Sequence, residues 1–280
     1  MSQLMTREAQ IVELGAWLQS PPGRYLLAWE QDRLDHDVAD AFGFHALQLG
    51  MPELDGLRAN RMPHRWVASD VLSTPEPLPA PPPADGISTT QLDGDRVHLR
   101  SEFDALPFPA GSLDLVVLPH SLELARDPHL TLREVERVLM PEGRLLITGF
   151  NPASLWGLRQ RVARLRGAHD LFMPRAGDFI GYWRLRDWLR LLGFEVEVGR
   201  FGCWRPPCET ERWLQRYAWM DPIGDRWWPV LGAVYYLHAV KRVRGMRLVG
   251  LAKRDLRTSR QAQRAVAQRR PAAATQKTDV

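Results

Sequence analysis

Residues Val97 to Asn151 read VHLRSEFDALPFPAGSLDLVVLPHSLELARDPHLTLREVERVLMPEGRLLITGFN, and the order of apolar and punctuating residues in this stretch decides the fold. Val97 to Leu99 is a short extended run. Leu113 to Leu118 is an apolar run of strand length that Pro119 ends. Gly143 to Thr148, introduced by the Pro141-Glu142-Gly143 turn, is a second such run rich in branched side chains. Between them Asp127-Pro128 has the form of an N-cap followed by proline at the first helical position. Leu130, Leu132, Val135, Val138 and Leu139 then supply one apolar helical face. Strand, crossover helix and strand make a right-handed βαβ unit, the second half of an open parallel sheet.

The order and spacing of these motifs carry a resemblance. LPFPAGSLDLVV, followed by DPHLTLREVERVLMPEGRLLITGFNP, resembles the corresponding half of the class I S-adenosylmethionine-dependent methyltransferases, and within them the small-molecule group called type 11. The likeness is close over about fifty-five residues. It implies an α/β fold with an open, doubly wound, mostly parallel seven-stranded sheet of the Rossmann-like methyltransferase kind, S-adenosylmethionine as cofactor, and a small molecule as methyl acceptor.

The first half of the chain departs from that pattern. Glu8 to Leu18 offers apolar positions at Ile11, Leu14, Trp17 and Leu18, and Pro21-Pro22-Gly23 is expected to end this helix. A second helix, Arg24 to Phe42, has Gly43 where a cap would sit, so residues 1–43 form an N-terminal helical extension to a methyltransferase-like domain at 44–250. His45 to Gly50 is the expected first strand. The resembling enzymes follow this strand with an acid and a Gly-x-Gly-x-Gly loop, whose bare backbone lets the cofactor approach closely. Here the chain reads Gln48-Leu49-Gly50-Met51-Pro52-Glu53-Leu54. Gln48 stands at the acid's position, only Gly50 is kept, Pro52 removes a backbone donor and Leu54 adds a side chain. Glu53 falls near the cofactor's carboxylate or meets its amino group. Two readings stay open: a divergent loop that binds the cofactor, or a sheet kept for binding or scaffolding without catalysis.

His64 to Ser69 is the expected second strand and Asp70 follows it, where the family's acid accepts hydrogen bonds from both ribose hydroxyls. Residues 74–94 contain six prolines and read as an extended surface loop of polyproline character. By alignment on Leu106-Pro107-Phe108, Glu102 takes the position of the acid that contacts the adenine amine, with Asp104 as the nearby alternative, and Phe103 the position whose backbone meets the ring. The resemblance thus gathers Gln48, Gly50, Asp70, Glu102, Phe103 and Pro119 around the cofactor. His120 and Glu123, just past the fourth strand, lie where the methyl is delivered and are the candidate catalytic residues.

After the fifth strand the chain continues through an arginine-bearing helix, Leu155 to Arg166, a helix ending at Leu192, a strand Phe194 to Val198, a tryptophan-rich segment at 209–229, and a strand Val234 to Val243. The late strand, helix, strand order resembles the antiparallel hairpin that finishes the methyltransferase sheet. Eleven tryptophans in 280 residues leave some free to form an aromatic lid, with the acceptor pocket expected between the fourth strand's end and this segment.

With 45% apolar residues the chain can bury one sizeable core. No apolar run approaches the roughly 18 to 20 residues of a membrane span, and the beginning MSQLMTREAQ carries acid and lacks a signal peptide's apolar segment, so a cytoplasmic location is expected. Cys203 and Cys208 have no second cysteine pair and no flanking histidine, which argues against a metal site. The formal charge of +4 is uneven. Residues 253–280 hold eight Lys or Arg against two Asp, leaving the first 252 residues net negative. A basic, disordered tail at 251–280 is therefore expected, with RNA contact through it as a further reading.

Overall fold

The computed structural model describes residues 7–70, 91–93, 96–167, 171–174 and 179–242. The expected basic tail at 251–280 and most of the proline-rich loop, 74–90, lie outside the described residues.

The chain opens with a helical hairpin, α1 (Arg7–Leu18) and α2 (Pro21–Ala39). Pro21-Pro22-Gly23 was expected as a stop and is also a start. Ser20 takes extended backbone, its hydroxyl accepts from Gly23 N at 3.4 Å, and Pro21 occupies the first helical positions, where its missing N–H costs nothing. α2 ends at Asp40 rather than at Gly43. The sheet and its crossings follow as β1 (His45–Leu49), β2 (His64–Ser69), β3 (Gln91–Asp93), β4 (Arg96–Arg100), β5 (Leu113–Pro119), a short α3 (Ser121–Leu124), α4 (Pro128–Val138) and β6 (Leu139–Phe150). Then come α5 (Leu155–Leu165), α6 (Tyr182–Leu191), β7 (Phe194–Gly202), α7 (Glu211–Arg216), α8 (Met220–Trp227) and β8 (Val234–Lys241).

The strand order is β3-β4-β2-β1-β5-β6-β8-β7. β4, β2, β1, β5 and β6 run parallel, and β8 inserts antiparallel between β6 and β7. This is the expected seven-stranded sheet, extended at one edge by β3, which pairs antiparallel with β4 inside the segment read as loop. Asp127 caps α4 as expected, accepting from His129 N at 2.8 Å and Leu130 N at 3.2 Å.

Alternation along the strands sorts the core into two layers. Ala46, Leu115, Val117, Leu146 and Phe150 pack with Leu14, Leu18, Leu26, Leu34 and Val38 of the N-terminal hairpin. Leu47, Leu49, Val116, Leu118 and Ile147 pack with Leu132 and Val135 of α4 and Leu185 and Leu189 of α6. The helical extension is therefore one face of the doubly wound layer and not an appendage. Trp17 and Trp156 anchor it: Trp17 meets Phe150 edge-on at 5.7 Å and Trp156 at 6.1 Å, and their indole N–H groups donate to Phe172 O and Arg205 O. No helix among the described residues is long and apolar enough to cross a membrane.

Candidate active site

At the carboxyl ends of β1 and β2 a cavity of about 190 Å³ is enclosed by the loop after β1 (Gly50 to Glu53), by Ser69 and Asp70, by Phe103, by Ser121 and Leu124, and by Ile11, Leu14 and Gly15 of α1. An open α/β sheet holds ligands in this position. Gly50, Asp70 and Phe103, far apart in sequence, line this one space.

Gly50 takes a left-handed backbone with φ of 73°, and a Cβ there would come within 3.2 Å of Ser121 Oγ and 3.4 Å of the Phe103 ring. Its N–H donates to Ala68 O at 2.7 Å, which holds the loop against β2. Asp70 is 3% exposed at the end of β2. Glu53 reaches across to α1, with Oε1 2.9 Å from where a Gly15 Cβ would stand.

Gln48 is buried but is absent from the cavity lining, because its amide serves the loop itself. Nε2 lies within hydrogen-bond distance of Gly50 O (3.2 Å), Met51 O (3.1 Å) and Leu54 O (2.7 Å), and Oε1 accepts from Gly56 N at 2.9 Å. This side chain gathers the polar backbone of a loop that has only Gly50 of the family's three glycines, and Leu54 is absorbed into the core. Glu102 also differs from expectation. The turn after β4 is closed by Ser101 Oγ donating to Ala105 O and Ala105 N donating to Glu102 O, which buries Ser101 and Phe103 and leaves Glu102 exposed outside the lining. Pro119 is buried and contributes its carbonyl, which accepts from Ser121 Oγ at 3.1 Å, and it too lies outside the lining.

His120 was expected to face an acceptor pocket; it is fully buried instead, in a left-handed conformation with φ of 49°. Nδ1 bonds Glu123 Oε2 at 2.7 Å, Nε2 bonds Glu30 Oε1 at 2.8 Å, and the Phe150 ring lies 4.3 Å away. Burial alone would lower the imidazole's pKa, but the two carboxylates outweigh it and push it up to about 10. Both ring nitrogens are engaged by carboxylates, so neither faces open space where a general base would meet an acceptor. Glu123 is buried with it, its other oxygen accepting from Phe150 N at 2.5 Å. Glu30 is the residue that sequence reasoning missed. It continues the series Leu26, Leu34, Val38 at four-residue spacing on the buried face of α2, and an acid inside an apolar stripe is the signal that was there to be read.

Trp213, Trp219, Trp227 and Trp228, expected as a lid over the acceptor pocket, are exposed by 40 to 72% and none of them lines this cavity.

Over residues 86–147 the sequence matches the methyltransferase domain family. The uncharacterized protein YafS of Escherichia coli K12 is 32% identical over 187 residues, 66% of this chain and 67% of that protein. The chain belongs to the class I methyltransferases. The fold agrees: a chain from the complex of the Haloferax volcanii Trm112 methyltransferase activator with a methyltransferase superposes with a TM-score of 0.53 at 17% identity, covering 84% of this chain and 99% of the other. A SAM-dependent methyltransferase of Thermotoga maritima does so with a TM-score of 0.52 at 12% identity, covering 84% and 100%. Shorter likenesses join this methyltransferase to the ubiquinone/menaquinone biosynthesis C-methyltransferase UbiE of Edwardsiella ictaluri, 29% identical over 93 residues, 32% of this chain and 34% of that one. The match to UbiE therefore spans about a third of that relative's length.

Proposed function

We propose that the chain transfers a methyl group from S-adenosylmethionine to a small-molecule acceptor. The observation that carries this reading is the meeting of Gly50, Asp70 and Phe103 in one cavity at the carboxyl edge of the sheet. Their chemistry fits the cofactor's ribose and methionine portions. A carboxylate presents two oxygens to a vicinal diol, bare backbone at Gly50 permits close approach, and Glu53 offers a counter-charge to an ammonium. When bound, the cofactor supplies an electrophilic methyl group on a sulfonium. The protein's part is to hold donor and acceptor in line and keep water out. His120 and Glu123 serve here by fixing the loop after β5, whose Ser121 lines the cavity, and not by moving a proton.

The cavity is smaller than the roughly 300 to 1,000 Å³ usual for ligand pockets, with Ile11 and Leu14 of α1 forming one wall, so admitting the whole cofactor requires its lining to open. The test is calorimetry with S-adenosylmethionine and its demethylated product. A saturable heat is expected, with thermal stabilisation of roughly 2.7 kcal/mol at about 100 Kd. Asp70→Asn should weaken binding by about 1.5 to 3 kcal/mol, since a hydrogen bond to a charged group is lost. The Gln48-bound loop and the outward Glu102 favour a second reading, a methyltransferase fold kept for binding without catalysis. Absence of both heat and thermal stabilisation at millimolar cofactor would remove the first reading and leave the second.

A further inference from the structure

A groove of about 340 Å³ runs between α2, the end of β7 and α8, and it shares no lining residue with the cavity above. The indole of Trp29 lies directly on Gly202, where a Cβ would overlap the ring, and Trp204 lies on Gly224 in the same way. Both flat faces are set down on bare backbone, so their positions are fixed by packing. Trp204 is further tied by its N–H to Trp228 O at 3.3 Å.

The charges in this groove are of two kinds. Arg33 lies one turn after Trp29 on α2, its guanidinium 5.9 Å from the Trp29 ring centre, and its Nε is buried with no hydrogen-bond partner among the described residues. Arg200 stands on β7 opposite Tyr236, on the face of the sheet that α2 covers. Neither arginine has an ion pair among the described residues. Of the two acids in the lining, Asp221 is already taken, accepting from Tyr25 Oη at 2.5 Å and from Arg205 Nε at 2.9 Å. Asp225 is exposed.

We infer that this groove is a binding site for a small planar organic anion, with Trp29 and the small exposed part of Trp204 meeting its flat body and Arg33 and Arg200 its carboxylate, sulfonate or phosphate. Guanidinium groups beside aromatic faces suit such a molecule, because the ring is desolvated against indole while the anion takes the unspent N–H donors. The volume falls within the range of small-ligand pockets. Since the site has its own lining, the inference stands apart from the cofactor reading.

The full chain carrying 5-fluorotryptophan provides the test by fluorine NMR, with the Trp29 and Trp204 signals assigned from Trp29→Phe and Trp204→Phe. The probes are 2-naphthoate, 2-naphthalenemethanol and 2-naphthylmethylamine, which share a ring system and differ in charge. The Trp29 and Trp204 signals should shift saturably with 2-naphthoate, less with the alcohol and least with the amine. Arg200→Met and Arg33→Met should each weaken 2-naphthoate about tenfold, and Asp225→Asn should tighten it. Arg200 is exposed on an outer strand, so its variant keeps the comparison intact if Arg33→Met fails to fold. Silence at both signals with millimolar 2-naphthoate, tighter binding of the amine, or unchanged affinity in Arg200→Met would each overturn the inference.

Discussion

His120→Ala is expected to destabilise the protein by about 3 to 5 kcal/mol, a large share of the roughly 5 to 15 kcal/mol that holds a domain together. The wild-type imidazolium sits between two carboxylates, Glu30 at 2.8 Å and Glu123 at 2.7 Å, with all three side chains sealed from water. Removing the cation leaves two buried acids facing each other across a cavity. Their desolvation then has nothing to offset it. Urea unfolding followed by circular dichroism measures the loss. Glu30→Gln in the His120→Ala background should return part of it, because residues in direct contact are coupled and their effects do not add. The same cluster predicts a pH dependence. Because the folded-state pKa is raised to about 10 from an ordinary value near 6.5, the cluster's contribution is fully present below about pH 6.5 and is lost as pH rises toward 10. Wild-type stability should therefore decline over that window, whereas His120→Ala, whose two uncompensated buried acids resist ionisation, should begin its decline at lower pH. Equal pH profiles for the two proteins would show that the imidazole carries no charge in the folded state.

The second large effect is expected at Gln48→Glu. The substitution restores the acid that the resembling enzymes carry at this position, yet it should destabilise this chain by about 3 kcal/mol or more. In the wild type an amide NH2 faces three carbonyl oxygens, of Gly50, Met51 and Leu54. A carboxylate would set a fourth acceptor, and a charge, among them. At least two buried carbonyls would lose their donor, each at about 1 to 3 kcal/mol. Gln48→Met, which removes the charge but also the donors, should cost less than Gln48→Glu. Thermal unfolding of the two variants decides the matter, and a stable Gln48→Glu protein would mean that the loop rearranges around an acid.

These two sites show where sequence reading reaches and where it stops. The βαβ unit from Val97 to Asn151 was legible because its strands are continuous apolar runs, its helix has a strict apolar face, and Asp127-Pro128 marks the boundary by local chemistry. The same holds for Gly50 and Asp70, whose places follow from strand ends. Gln48 was legible only as a departure from a pattern. What it binds are carbonyls of a loop whose path depends on tertiary packing, and no local rule specifies that path. His120 misled for a related reason: position along a strand sets which edge of the sheet a residue reaches, but α2, arriving from elsewhere in the chain with Glu30, decides whether that edge is open. The short strand β3 was hidden by the proline-rich run that precedes it, since its pairing depends on β4 and not on its own three residues.

The seating of Trp29 on Gly202 and of Trp204 on Gly224 binds the histories of these positions together. A side chain cannot be acquired at 202 while an indole lies at 29, so each step away from glycine must be preceded by a smaller ring or an aliphatic residue at its partner. Among diverged relatives the two members of each pair should accordingly change in concert, the bulky residue passing from helix to strand or vanishing from both. A lineage that keeps tryptophan at 29 and 204 is bound to keep glycine at 202 and 224 as well, and with them the walls of the groove.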